Sequence, residues 1–236
     1  MATIVMVHGA FNELWGPNEL HHRWLPALRD GLWHAGAEVD ADDVAVCFYG
    51  DLFRRDPESP DQPDEATRAG VADMLQQTLG DGGIDALAQA AGKATFDRTV
   101  DMVVTMTTQP DLRDRVQERI RSVIGPDTRV VVAHSLGTVV SYRALCQNPD
   151  WDIDTFVTLG SPLGSPMITD QVLEKGEDGL AAWPAATERW VNVASVGDHA
   201  CAQPRLAEVF GASVRARNPS SVARCTFSGT PDAGAC

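Results

Sequence analysis

Arg129-Val130-Val131-Val132-Ala133-His134-Ser135-Leu136-Gly137-Thr138 is the stretch on which the fold turns. Its first half is β-branched and apolar without alternation, the pattern of a strand buried on both faces, as strands are in parallel sheets covered by helices. From Leu136 to Leu145 the pattern reads as a helix, so the chain passes from strand to helix across a single serine. Ala133 and Gly137 stand two residues before and two after that serine. A sharp strand-to-helix turn brings neighbouring chain close at those two positions, and only small residues fit there. Ser135 is therefore expected at the C-terminal edge of the sheet, beside the N–H groups and positive dipole end of the following helix.

Working outward, Ile4 to Val7 is a short β-branched run ending in His8-Gly9, and Val44 to Tyr49 is another, followed by Gly50-Asp51. Between them Trp24, Leu25, Leu28 and Leu32 form the apolar stripe of a helix, which makes a βαβ unit. Asp56 to Pro63 reads as a loop. From Asp64 to Ile124 the pattern is helical, with Val71, Met74, Leu75 and Leu79 in one piece, and Val116, Ile120 and Ile124 in another; Gly80 to Gly83 and Pro110 interrupt it. Two more strands are expected, Thr155 to Leu159 before Gly160-Ser161-Pro162, and Trp190 to Val196 before Gly197-Asp198. The stretch from Asn218 to Cys236 is rich in Ser, Pro, Gly and Ala, with at most a short strand at Arg224 to Phe227. Strands alternating with helices predict one α/β domain over residues 1–236. This is a three-layer α/β/α sandwich with a mainly parallel sheet of about five or six strands and a helical, cap-like insertion over 64–124.

The 236 residues carry a net charge of 19 − 33 = −14, and 44% of them are hydrophobic. That is enough apolar chain for a proper core, and the acidic balance argues against nucleic acid, whose phosphates need clustered Lys and Arg. No apolar run approaches the ~20 residues that cross a bilayer, so no membrane span is expected. There is no room before Ile4 for a signal segment, and the five cysteines show neither a C-x-x-C nor a zinc spacing. An odd number cannot all pair, so free thiols in a reducing cytoplasm are the expectation. His21 and His22 are adjacent, about 100° apart on a helix, and no carboxylate stands at a zinc-motif spacing from them. They read as a solvated helix face, and no metal is expected.

After the first strand, His8-Gly9-Ala10-Phe11 supplies a small residue and then backbone N–H groups at the same sheet edge as Ser135. With these two segments the chain resembles the α/β-hydrolase superfamily, in its lipase-like and esterase-like serine hydrolase branch. The resemblance runs from His8-Gly9 through Ala133-His134-Ser135-Leu136-Gly137 and the Thr158 to Pro162 turn to the strand end at Asn192 to Asp198. It begins at the family's third strand, so it implies a minimal sheet lacking the first two. Ala133 stands where the family more often has glycine.

The resemblance implies acyl transfer without metal or cofactor. Ser135 attacks an ester, thioester or amide carbonyl of a small to medium apolar acyl compound, and the N–H groups of Leu136 and of Ala10 or Phe11 hold the oxyanion. The family's triad runs serine, acid, histidine along the chain. Asp198, after a late strand, fits the acid, and His199 is the histidine that follows Ser135. Adjacent residues at a strand end tend to point opposite ways, which makes Asp198 and His199 an awkward pair. If His199 is the base, Asp170 or Asp178 is an alternative acid; if Asp198 is the acid, the family's histidine lies beyond these residues. Three readings stay open: hydrolysis, transacylation or cyclisation at the same serine, and an impaired scaffold that binds a ligand or partner. Oligomeric state is left open as well. His134 is expected to pack beside the turn, Ser161 to belong to a loop or pocket wall, and Trp15 and Trp183 to line an acyl pocket.

Overall fold

Strand β1 (Ile4–Val7) lies second in space in an all-parallel sheet of five strands, with β2 (Val44–Cys47) on one side and β3 (Val130–His134), β4 (Ile153–Leu159) and β5 (Thr187–Val193) following on the other. A three-residue sixth strand, β6 (Arg215–Arg217), extends it in parallel beyond β5. The computed structural model describes residues 2–10, 12–54, 65–79, 101–106, 108–165, 168–169, 173, 179–194, 206–211 and 215–217. The expected features at Asp56 to Asp64, Gly80 to Gly83, Val196 to His199 and Asn218 to Cys236 lie outside them.

The register puts Val7 opposite Ala133, Val131 opposite Phe156 and Phe156 opposite Trp190. Side chains alternate between faces along a strand, so these residues share one face, and all are fully buried. That face is covered by α3 (Pro110–Val123), whose Leu112, Val116 and Ile120 recur every four residues on its buried side, and by α4 (Leu136–Gln147), which contributes Val140 and Leu145. The opposite face is covered by α1 (Pro17–His34), packed on Met6 and Val44 through Leu25, with Trp24 and Leu28 beside it. Between β2 and β3 the chain also forms α2 (Glu65–Leu79) and a helical stretch at 101–106, tied together by the Arg68–Asp101 ion pair. A last short helix, α5 (Ala207–Phe210), precedes β6. Among the described residues no helix is long and apolar enough to cross a membrane.

The α/β class and the parallel sheet are as the sequence predicts, and the differences have local causes. Strand β2 stops at Cys47 rather than Tyr49 because the Tyr49 N–H leaves the ladder and donates to the His8 ring, 3.1 Å away. Strand β5 starts at Thr187, paired with Ile153, and stops at Val193, whose carbonyl accepts the Gly160 N–H. Pro110 interrupts the helical run as expected: Gln109 is not helical, and the proline begins α3, where its missing N–H would have no partner in a first turn.

Candidate active site

Ser135 joins β3 to α4 with φ 50° and ψ −125°, and among the described residues no other non-glycine has positive φ. Such a conformation costs about 1–3 kcal/mol and persists only where the surroundings over-determine it. Here three hydrogen bonds do so. The Ser135 N–H donates to the Leu159 carbonyl at 2.9 Å, and its own carbonyl accepts the Thr138 N–H at 2.9 Å and the Thr138 hydroxyl at 2.7 Å. Ala133 is buried two residues before the serine. Two residues after it, Gly137 is pressed on the end of β1, where a Cβ would meet the His8 carbonyl and stand 2.6 Å from that of Val7. Ser135 is half-buried and, among the described residues, bonded through its backbone alone.

The peptide between Ser135 and Leu136 is planar, so its N–H points opposite to its carbonyl. With the carbonyl turned into α4, the Leu136 N–H faces out of the helix N-terminus, where no intrahelical acceptor exists. The loop after β1 is held in a comparable way. The His8 Nδ1–H donates to the Gly9 carbonyl at 2.7 Å, and the Asn12 amide donates to the carbonyls of Gly9 and Ala10 at 3.3 and 3.1 Å. Turning the Gly9 carbonyl toward Asn12 and the ring turns the Ala10 N–H away from them. That N–H has no backbone acceptor among the described residues. Phe11 lies outside them.

His8 has no ring nitrogen left for proton transfer. Its Nδ1–H goes to Gly9, so Nε2 is the bare nitrogen that accepts the Tyr49 N–H, and the ring stacks on Tyr49 at 4.1 Å. Burial pushes its pKa down from 6.5 to about 4, against the pull of the Gly9 carbonyl, with the nearby His134 ring adding to the depression and Asp51 opposing it. The Tyr49 hydroxyl donates to the His8 carbonyl at 2.5 Å, and burial holds that phenol well above its ordinary range, the Cys47 thiol adding to the effect. His8 and Tyr49 thus clamp the loop.

Three of the other described histidines have partners of their own. The His21 Nε2 reaches the carbonyls of Ala41 and Val44 at 3.2 and 3.0 Å, and His34 packs edge-on to Trp33. The His134 ring lies edge-on to Trp24, at the side of a cavity of about 260 Å³ lined by Met6, Leu28, Val132 and Leu159, and its Nδ1 is 3.3 Å from the point beside Ser135 where a Gly9 Cβ would stand. Asp198, His199, Asp170 and Asp178 lie outside the described residues. The described part of the site therefore holds the serine, two candidate oxyanion donors and their supports.

Three further residues singled out by the sequence have defined surroundings. Ser161 lies in the loop after β4, fully buried, with its hydroxyl 2.9 Å from that of Thr138 and accepting the Leu163 N–H at 3.2 Å. Trp183 is half-buried, donates to the Thr187 carbonyl and packs edge-on to Trp190, within an aromatic cluster. Trp15 lies under the Arg23 guanidinium at 3.8 Å. Asn12, Tyr49 and Thr138 were not singled out by the sequence. For Thr138 a signal existed, since a threonine three residues after the turn is placed to bond back to its carbonyl.

No protein-family model matches the chain, and no curated protein matches it.

Proposed function

We propose that the protein is a serine hydrolase that cleaves an ester, thioester or amide of a small to medium apolar acyl compound through an acyl-enzyme on Ser135. The observation that carries this reading is the left-handed backbone of Ser135 at the β3–α4 junction, with the side chain half-exposed beside two backbone N–H donors. Strain of this kind concentrates at functional sites, because only a strong reason keeps a non-glycine there.

In this reading the Ser135 Oγ attacks the carbonyl carbon as its proton passes to a base, and the oxyanion lies between the N–H of Leu136 and that of Ala10 or Phe11. Collapse of the tetrahedral adduct breaks the bond to the alcohol, thiol or amine, which leaves with the proton. Water then attacks the acyl-enzyme by the same route and frees the serine. We assign the base to His199, oriented by Asp198, with Asp170 and Asp178 as alternative acids. Support comes by contrast, since His8 has both ring nitrogens engaged. The chain is then a minimal α/β-hydrolase with cap-like helices between β2 and β3. Cys47 is a buried free thiol, in keeping with a reducing compartment such as the cytoplasm.

One observation favours a second reading, a scaffold that binds an acyl ligand without turning it over. Among the described residues no imidazole bonds the Ser135 hydroxyl. A fluorophosphonate probe separates the two, because it reacts only with an activated serine. Labelling of the intact protein that is lost in Ser135→Ala supports the hydrolase; an unlabelled intact protein supports the scaffold. Unchanged ester turnover in His199→Ala would remove that residue as the base.

A further inference from the structure

Behind the Ser135 turn lies a chain of hydroxyls whose protons have only one arrangement. The Ser135 carbonyl accepts and cannot donate, so the single hydroxyl proton of Thr138 goes to it, at 2.7 Å. Thr138 must then accept from the Ser161 hydroxyl, 2.9 Å away, and Ser161 in turn accepts the Leu163 N–H at 3.2 Å. Thr138 and Ser161 are both fully buried, so no water competes for these protons. The chain runs from the 3-10 turn after β4 (Pro162–Gly164) to the one carbonyl that shares a peptide plane with the Leu136 N–H.

We propose that Ser161, acting through Thr138, is a positioning residue that aims the Leu136 N–H at the developing oxyanion, an inference that rests on the hydrolase reading above. The planar peptide transmits the effect. Two donors on the Ser135 carbonyl hold the peptide against rotation about the strained φ and ψ of Ser135, and so hold the N–H on its other side in line with the oxyanion. Hydrogen bonds in series also polarise one another, so a donor on the carbonyl oxygen makes the N–H of the same peptide a better donor. Both effects act where negative charge develops on the substrate oxygen, in the transition state more than in the bound ester. The signature is therefore a loss in kcat with little change in KM.

The test uses the full chain with a p-nitrophenyl ester as substrate and the fluorophosphonate probe for labelling rate. Thr138→Val removes both hydroxyl bonds while keeping the shape. It is expected to lower kcat and the labelling rate roughly 10- to 100-fold, short of the ~10²–10³ that follows outright loss of an oxyanion donor, with KM changed less than about twofold. Thr138→Ser, which restores the hydroxyl, should recover most of the loss. Ser161→Ala leaves the Thr138 bond to the carbonyl and should cost less, about three- to tenfold in kcat. Intact protein labelled at Ser135, with Thr138→Val labelled equally fast, overturns the relay and leaves the hydrolase reading standing. An intact protein that is not labelled overturns both. If Thr138→Val does not fold, Ser161→Ala decides: an unchanged kcat, or a loss confined to KM, overturns the proposal.

Discussion

A Cβ placed on Gly9 would stand 2.6 Å from the Cβ of Ser135. The contact is between a loop backbone and the first side-chain atom of a strained residue, and neither has a flexible end to swing aside. The same Cβ would also lie 2.9 Å from the His134 carbonyl. Gly9→Ala must therefore push the β1 loop and the β3–α4 turn apart. We expect it to destabilise the fold by about 1–3 kcal/mol, the usual cost of overpacking. We also expect a fall of about 100-fold in fluorophosphonate labelling, the scale on which a misplacement near 1 Å acts. Urea unfolding and labelling kinetics measure the two effects separately, and a variant labelled at the parent rate contradicts the contact.

Gly137 and Gly31 make a matched pair of alanine substitutions with opposite signs. At Gly137 the new methyl meets the His8 carbonyl and lies 2.6 Å from the Val7 carbonyl, both of them backbone atoms of the sheet edge. At Gly31, exposed on α1, it meets nothing within 4 Å. Gly31→Ala should stabilise the protein by roughly 0.5–1 kcal/mol, because alanine loses less entropy in a helix. Gly137→Ala should destabilise it by at least as much as Gly9→Ala. Thermal midpoints moving in the same direction for the two variants would show that the packing around Gly137 is misjudged.

How far these features are visible in the sequence depends on the range of the interaction. The β-branched runs at Ile4–Val7 and Val130–Ala133 declare buried strands because local composition carries that information, and α3 is legible from Val116, Ile120 and Ile124. The small residues Ala133 and Gly137 mark a sharp turn for the same reason. Strand β6 is three residues long with arginine at both ends, too short for any period. The first residues of β5 are equally cryptic, since Glu188 and Arg189 are exposed and read as loop. The His8–Tyr49 clamp spans 41 residues and the Thr138–Ser161 bond spans 23, and no local pattern encodes which hydroxyl or ring will meet across the sheet.

His8 predicts a pH dependence of stability with a defined sign. Its neutral ring is held by burial, with a folded pKa near 4 against 6.5 for the free side chain. Above pH 6.5 the ring is neutral in both states and the stabilisation is fully present. As pH falls from there toward 4 the unfolded chain takes up a proton that the folded protein refuses, and stability declines by roughly 3 kcal/mol in all. Replacing His8 with Gln removes the titration, so its urea midpoint should depend less on pH across that window than the parent's. Parallel curves for parent and variant would mean that some other group carries the acid sensitivity.

The strain at Ser135 is itself measurable. Alanine at this position keeps a Cβ and so keeps the cost of φ 50°, whereas glycine relieves it and loses only part of the gain to its own unfolded-state entropy. Ser135→Gly is therefore expected to be more stable than Ser135→Ala by about 1 kcal/mol. Both lack the hydroxyl, and both should be silent to the fluorophosphonate probe. The comparison isolates backbone conformation from chemistry, since the two variants differ by one methyl group in a region of space the parent also fills. A glycine variant no more stable than the alanine one would show that the turn is relaxed. The conformation on which the hydrolase reading rests would then be no sign of a site held ready for reaction.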